Sequence, residues 1–260
     1  MKIVQPYAKI EEPELLISAL RRIEHAARIS HGSEDAQTND SAERFIRAVV
    51  LGHGDWSVVE HISASVEFLV DRGITHELVR HRIASYTQSS TRFINYAKKM
   101  PTNAKSVPPT FIYPKPEVFC AHCDAGNHPE PGEGRAYGYD HTKPWFHAFT
   151  LGDSAQCPYE PVWLCAIQSA EDEYRNLIDL KWRPQEARSV FPNALSSKIM
   201  MTCNLRSWRH FFLMRTTKEA HPQMRQVTIP LLAQFKQLVP VLFEDIEPNT
   251  RQVDNIAKGR

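Results

Sequence analysis

The 260-residue chain carries 31 lysine and arginine residues against 30 aspartate and glutamate residues, so its formal net charge is only +1. Because no excess charge attracts nucleic acid or an acidic membrane surface, we expect neither partner, and any cationic site must be local. The N-terminal stretch MKIVQPYAKIEEPE lacks the apolar core of a secretion signal, and no apolar run approaches the length of a spanning helix, so we expect a cytoplasmic protein.

The first third of the chain has the patterns of ordinary folded protein, with 42% hydrophobic residues available overall for a core. Apolar residues recur at helical spacing over residues 12–27 and 41–51, and Ser41 is the expected cap of the second helix. Residues 63–71 alternate between apolar and polar, which predicts a half-buried strand. Thr75 is the expected cap of a short helix that leads into Arg-His-Arg.

Residues 113–157 differ in composition, since glycine and proline are frequent there and neither period is present. We interpret this segment as an insertion or long loop within one domain. Regular elements return after it: a helix over 160–182, a short helix between Pro184 and Pro192, a strand over 195–203, a helix over 205–216, and an apolar helix over 222–246 interrupted at Pro230 and Pro240.

The stretch ELVRHRIASYTQSSTRF, which starts at Glu77, is crowded with cationic and hydroxyl donors. Arg80, His81 and Arg82 repel one another unless solvent or an anion compensates. An isolated triplet of this kind is commonly a solvated basic turn. The hydroxyls and Arg92 that follow extend the donors through a segment without helical or strand pattern, which favours an irregular loop that holds phosphate.

A second group of donors lies in TCNLRSWRHFFLMR. If Asn204 caps the helix, an apolar stripe begins at Leu205 and ends in Arg215. A guanidinium on a buried face needs a paired anion, either a carboxylate of the protein or a ligand. Arg206 and His210 lie on a neighbouring stripe, where they either reach a second anionic group or form a solvated face.

Three further features have plain alternatives. Arg188, in QEARSVFP, is by itself commonly a surface residue, and Glu60 is best interpreted as a structural partner of one of the arginines. The stretch CAHCDAGNH suits half of a zinc site, but no second CxxC follows, so we expect free thiols and no metal, with zinc as the alternative. The candidate zinc ligands are Cys120, Cys123, His128 and Cys157.

These blocks occur together in one known family. Arg80-His81-Arg82, seven residues and then Ser90 match the signature RHRx7S of flavin-dependent thymidylate synthases, which the chain resembles. ARIS, SVVEH, the stretch EARSVFPNALSSKIMMTCNLRSWRHFFLMR and AHPQMR resemble the same family, so the likeness reaches both ends of the chain and omits mainly the insertion.

The resemblance implies an α+β fold: a single mixed domain with a central, mostly antiparallel sheet flanked by helices. It implies reductive methylation of dUMP to dTMP, with methylenetetrahydrofolate as carbon donor, NADPH as hydride source and FAD as cofactor. It also implies a homotetramer with active sites shared among subunits. The alternatives are a flavin-containing pyrimidine nucleotide hydroxymethyltransferase and a non-catalytic homologue that binds nucleotide or zinc.

The resemblance also assigns residues by position. Arg215 is the implied catalytic residue, which contacts the uracil and favours its ionised form. The implied FAD-binding residues are Ser57, Arg80, His81, Arg82, Gln88, Asn204, Leu205, Arg206 and His210. The implied dUMP-binding residues are Glu77, Leu78, Val79, Arg80, Gln88, Ser89, Ser90, Thr91, Arg92, Arg188 and Arg215.

Overall fold

The structure, a computed structural model, describes residues 2–97, 109–113 and 159–249. The chain divides into two compact units that alternate along the sequence. The first unit comprises Met1–Pro6, Val70–Thr75 and Ser89–Ser197, and the second comprises Tyr7–Leu69, His76–Gln88 and Lys198–Arg260. The single-domain organisation stays a prediction, and the predicted insertion lies outside the described residues apart from Tyr113.

The strands of the described residues form two sheets. Their bounds are β1 Lys2–Val4, β2 Tyr7–Glu11, β3 Ser63–Asp71, β4 Ser85–Gln88, β5 Thr110–Ile112 and β6 Ser196–Asn204. The larger sheet has the order β2-β3-β6-β4, with β2 antiparallel to β3 and β4 antiparallel to β6. In the first unit β1 and β5 form a separate parallel pair. The α+β class with an antiparallel sheet is thereby confirmed.

The helices carry most of the remaining chain. Their bounds are α1 Glu14–Ile17, α2 Ala19–Ile29, α3 Ala42–Ile46, α4 Arg72–Leu78, α5 Tyr159–Asp179, α6 Pro184–Ala187, α7 Leu205–Arg215, α8 Pro222–Leu238 and α9 Pro240–Phe243. A π-helical turn, Arg47–Gly52, continues α3, and 3-10 segments cover Glu34–Ala36, Trp56–His61 and Arg188–Val190. Within the part of the chain that is described, no helix is both long and apolar enough to cross a membrane.

The core of the second unit is built around Trp208, which is fully buried. Its ring packs against Phe211, Phe212 and Phe235 with centroids 5.3 to 5.8 Å apart, and its indole N–H donates to the carbonyl of Ala64 at 3.0 Å. Aromatic pairs at such distances stabilise beyond their area burial, and the hydrogen bond satisfies the polar end of the indole. The apolar stripe predicted for α7 is therefore confirmed, and it fixes the register of the helix that carries Arg215.

Two helix predictions near the N-terminus are wrong in detail. The predicted helix 12–27 is broken at Ser18, whose hydroxyl donates to the carbonyl of Leu15 and competes with the helical hydrogen bonds. Thr75 does not cap the next helix, because α4 starts earlier. Asp71 does so instead, accepting a hydrogen bond from the Ile74 N–H at 2.7 Å.

The last predicted helix is interrupted at one proline and not at the other. Pro240 begins α9, as predicted, whereas α8 runs on through Pro230. A proline within a helix removes one hydrogen bond. Val227 before Pro230 and both Leu231 and Phe235 after it are buried in the core. Their packing keeps the helix continuous through the proline.

Candidate anion-binding sites

Part of the donor-rich segment, Ser85–Gln88, is a strand where the sequence predicted an irregular loop, whereas Ser89 to Arg92 lie outside regular helix and strand. Ser85–Gln88 pairs with β6 in the register Tyr86 to Met201, so each of its side chains has a fixed face. The Tyr86 hydroxyl lies 2.7 Å from the carbonyl oxygen of Leu78 and 2.8 Å from that of His81. Tyr86 therefore fastens the turn between α4 and β4, and burial raises the pKa of its hydroxyl, which keeps it protonated. No role was predicted for this residue.

A cavity of about 700 Å³ in the second unit is lined by many of the predicted site residues. Its volume is that of a typical small-molecule site. Of the predicted residues, it is lined by Arg80, His81, Arg82, Asn204, Arg206, His210 and Arg215. Sequence reasoning assigned no ligand to its other lining residues, which are Glu60, Ile83, Met201, Cys203, Ser207 and Met214. Donors from the turn before β4 and from α7 thus line the same cavity, together with apolar side chains such as Met201 and Cys203 of β6.

Arg215 is held by an internal carboxylate. Its Nη1 donates to Glu77 Oε2 at 2.7 Å, its Nη2 to the Glu77 carbonyl at 3.3 Å, and its Nε to His81 Nε2 at 2.9 Å. The Arg215 side chain is 21% exposed and that of Glu77 is 33% exposed. Of the two predicted partners for this guanidinium, a carboxylate or a ligand, the structure contains the carboxylate.

His81 is the acceptor in this group, which requires a neutral imidazole with a free lone pair on Nε2. Burial lowers the pKa of His81 to about 4, and the nearby Arg215 guanidinium and His210 contribute in the same direction. The ring also meets Phe211 edge to face, with centroids 4.9 Å apart. The imidazole is accordingly uncharged near neutral pH and fixed in orientation.

Two other predictions about this cavity are confirmed. Asn204 caps α7, because its Oδ1 accepts a hydrogen bond from the Ser207 N–H at 2.8 Å. Glu60 is the partner of an arginine, with Oε1 at 2.5 Å from Nη1 of Arg206. Cys203, on the cavity floor, is 5% exposed, and burial raises the pKa of its thiol, so it has little thiolate character.

A second group of predicted residues lies in the first unit. Arg188 Nη1 donates to Thr91 Oγ1 at 2.6 Å, and its Nε donates to the carbonyl of Gln185 at 3.1 Å. These residues line a polar cavity of about 370 Å³. Arg72 lines it too, and sequence reasoning missed it because nothing marks an arginine that directly follows a strand as a site residue.

The remaining predicted residues line neither cavity. Leu78 and Leu205 are fully buried, so their side chains belong to the core and only their backbones can reach a ligand. Ser57 is exposed and Val79 is 40% exposed. Ser89 contacts Ser197 at 3.0 Å, the Ser90 hydroxyl accepts from the Arg92 N–H at 3.3 Å, and Gln88 is half-buried at the end of β4.

The zinc alternative concerns residues outside the described part of the chain. Cys120, Cys123, His128 and Cys157 are all among them. Within residues 2–97, 109–113 and 159–249, no group of three or more His, Cys, Asp or Glu side chains is arranged to hold a metal ion. Cys165 and Cys203 are free thiols.

The antiparallel sheet flanked by helices defines an α+β protein, and arginine side chains, the donors that anionic ligands require, line both cavities. The family model described as thymidylate synthase complementing protein matches residues 15–241. The chain belongs to that family.

Two relatives agree with this family, and a solved structure has a similar fold. The chain is 30% identical to the flavin-dependent thymidylate synthase of Corynebacterium aurimucosum over 202 residues, which is 77% of this chain and 69% of that protein. It is 27% identical to the flavin-dependent thymidylate synthase of Corynebacterium glutamicum over 249 residues, 94% of this chain and 86% of the relative. A structure of the UMP/dUMP methylase PolB from Streptomyces cacaoi, bound with 5-Br dUMP, is similar with a TM-score of 0.61 and 21% identity, covering 94% of this chain and 96% of that one. At this identity the likeness shows the fold alone.

Proposed function

We propose that the protein is a flavin-dependent thymidylate synthase, which converts dUMP to dTMP with methylenetetrahydrofolate as carbon donor and NADPH as the source of hydride. The observation that carries this proposal is the second-unit cavity, where both arginines of Arg80-His81-Arg82 meet Arg206 and Arg215 from α7. The names of the relatives support the same activity.

The cavity has the chemistry that FAD requires. Guanidinium groups bind a pyrophosphate through charge-assisted hydrogen bonds, and Arg80, Arg82 and Arg206 provide them. Asn204 uses its Oδ1 to cap α7, which leaves its amide NH2 to donate to a ligand in the cavity that Asn204 lines. Met201 and Met214 add polarizable apolar surface for a planar ring. Bound flavin supplies the hydride transfer, and these residues bind and orient it.

Arg215 is proposed to act on the uracil. Ionisation of the uracil places negative charge on the ring and makes its carbon nucleophilic toward the one-carbon unit, and a preorganised guanidinium lowers the free energy of that ionised state. The contacts to Glu77 and His81 hold the group in place before substrate arrives. The protein then needs no cysteine nucleophile, in agreement with the buried, protonated thiol of Cys203.

Arg188 and Thr91, joined by their hydrogen bond, are proposed to bind the phosphate of dUMP, with Ser90 and Arg92. Hydroxyl and guanidinium donors suit a phosphate dianion. Arg72 is a further candidate because it lines the same polar cavity. Homotetramer formation with shared active sites, which the resemblance implies, allows donors from different subunits to serve one substrate molecule.

The test is product analysis together with an absorbance spectrum. Purified protein is incubated with dUMP, methylenetetrahydrofolate, NADPH and FAD, and the nucleotides are separated by chromatography. We expect dTMP and a flavin spectrum. Hydroxymethyl-dUMP in place of dTMP would identify a hydroxymethyltransferase, and a colourless protein without affinity for FAD would identify a binding protein.

A further inference from the structure

His81 has the contacts of a residue that acts through another side chain. Its Nε2 accepts a hydrogen bond from the Arg215 Nε–H at 2.9 Å. Glu77 Oε2 accepts one from Nη1 of the same guanidinium at 2.7 Å. A guanidinium is planar, so two acceptors on different nitrogens fix both its position and its rotation. The N–H groups that remain are then held in one plane for a ligand in the cavity that Arg215 lines.

His81 is anchored through both its backbone and its ring. Its backbone carbonyl lies 2.8 Å from the Tyr86 hydroxyl, and its ring meets Phe211 edge to face. An acceptor that is fixed by packing and hydrogen bonds loses little freedom when it orients its partner.

The chemical nature of the acceptor matters as well. A second carboxylate at this place would add negative charge beside Arg215 and weaken the positive potential that the uracil needs. A neutral imidazole accepts the hydrogen bond without adding charge. Burial and the neighbouring cation keep it in that neutral form, since they lower the pKa of His81.

We propose that His81 is a positioning residue that sets the guanidinium plane of Arg215 against the uracil ring, in addition to any contact it makes with flavin. This inference rests on the proposed function, because it assigns the guanidinium plane to the uracil of dUMP.

The experiment compares three substitutions at one position. In His81→Gln the longer amide can place its Oε1 near the position of Nε2, whereas the amide in His81→Asn is one methylene too short, and His81→Leu has no acceptor. Each variant is assayed with saturating FAD, its flavin content is measured, and kcat is given per bound flavin. We expect a fall of about 10- to 100-fold in kcat for the Asn and Leu variants with less than about threefold change in the KM for dUMP, and Gln within about fivefold of wild type.

Equal kcat values for the Gln and Asn variants, whether high or low, would overturn the proposal. So would losses confined to flavin content with unchanged kcat per bound flavin. The matched Gln and Asn pair keeps the test valid if the Leu variant does not fold.

Binding of 5-bromo-dUMP, measured by calorimetry at pH 8, is a readout that does not depend on turnover. Bromine makes the uracil N3–H more acidic, so this probe reports how well the protein binds an ionised uracil. We expect the Asn variant to bind this probe about 5- to 20-fold more weakly than the Gln variant. If wild type makes no dTMP while this affinity difference is found, the proposed function fails and the positioning role stands. If both variants bind the probe equally, the positioning role fails whatever the turnover shows.

Discussion

Replacing Arg215 with alanine tests the centre of the proposed site. The change removes the donors to Glu77 and His81 and leaves the Glu77 carboxylate without its cation. Because that carboxylate is 33% exposed, water can rehydrate it, and we expect a loss of only about 1–2 kcal/mol in the free energy of unfolding. For a chain of this size the melting temperature should fall by roughly 2–4 °C per kcal/mol.

The effect on turnover should be far larger than the effect on folding. Removing one preorganised donor from a developing negative charge typically costs about 10²- to 10³-fold in kcat. Arg215 brings a full positive charge rather than a dipole, so we expect a loss of at least about 10³-fold, or roughly 4 kcal/mol in activation free energy. Activity and stability should therefore separate clearly in this variant.

The assay is the initial rate of dTMP formation from dUMP, with methylenetetrahydrofolate, NADPH and saturating FAD, beside calorimetric melting. Arg44→Ala is the matched control, since Arg44 is an exposed arginine on α3 outside both cavities. A folded Arg215→Ala protein that keeps its rate within about threefold of wild type would refute the catalytic assignment. An equal loss of rate in Arg44→Ala would show that the loss is not specific to Arg215.

Asp245→Asn should lower the free energy of unfolding in urea by about 2–3 kcal/mol, because the Arg209 side chain is 5% exposed and needs the carboxylate; a change below about 1 kcal/mol would show that this pair is not structural. The pKa of His81 is about 4 in the folded protein, and unfolded histidine titrates near 6.5, so the unfolded chain binds more protons between these values. Stability is thus lost as pH falls through that window, and wild type should lose about 1–2 kcal/mol more than His81→Gln between pH 7 and 4.5, after discounting for partial exposure; parallel pH profiles would contradict it. Arg82→Ala should weaken flavin retention about tenfold and dUMP affinity much less, by equilibrium dialysis, whereas equal losses would mean that the two ligand shells are not separable.

Strong periodic patterns predicted the elements that position the second-unit cavity. The strand at β6 and the helix α7 were placed within a residue or two, because an alternating run leads directly into a capped apolar stripe. The short strands were missed. β1, β2 and β4 have three to five residues each, too few to display a period, and they become strands only by pairing with a partner that is distant in sequence.

The site residues show the same limit of local reasoning. The sequence identified Arg215 as a guanidinium that needs an anion, but the choice between a carboxylate and a ligand depends on Glu77, which lies 138 residues earlier. The hydrogen bond from Arg215 to His81 joins residues 134 positions apart, so the local sequence pattern did not predict it either. Residue type predicts which interaction a side chain requires, and tertiary structure decides which partner satisfies it.

The pairing of arginines with carboxylates explains how a chain with a net charge near zero carries a cationic cavity. Guanidinium groups gathered around one space repel one another, and this repulsion would destabilise the ligand-free protein. Glu60 and Glu77 offset it, since each contacts one guanidinium of the cavity. Arg80 and Arg82 are exposed to solvent, where their repulsion is screened. If the proposed function holds, an entering anion finds Arg206 and Arg215 already oriented by these carboxylates, and the free energy of orienting these two donors is supplied when the protein folds rather than when the ligand binds.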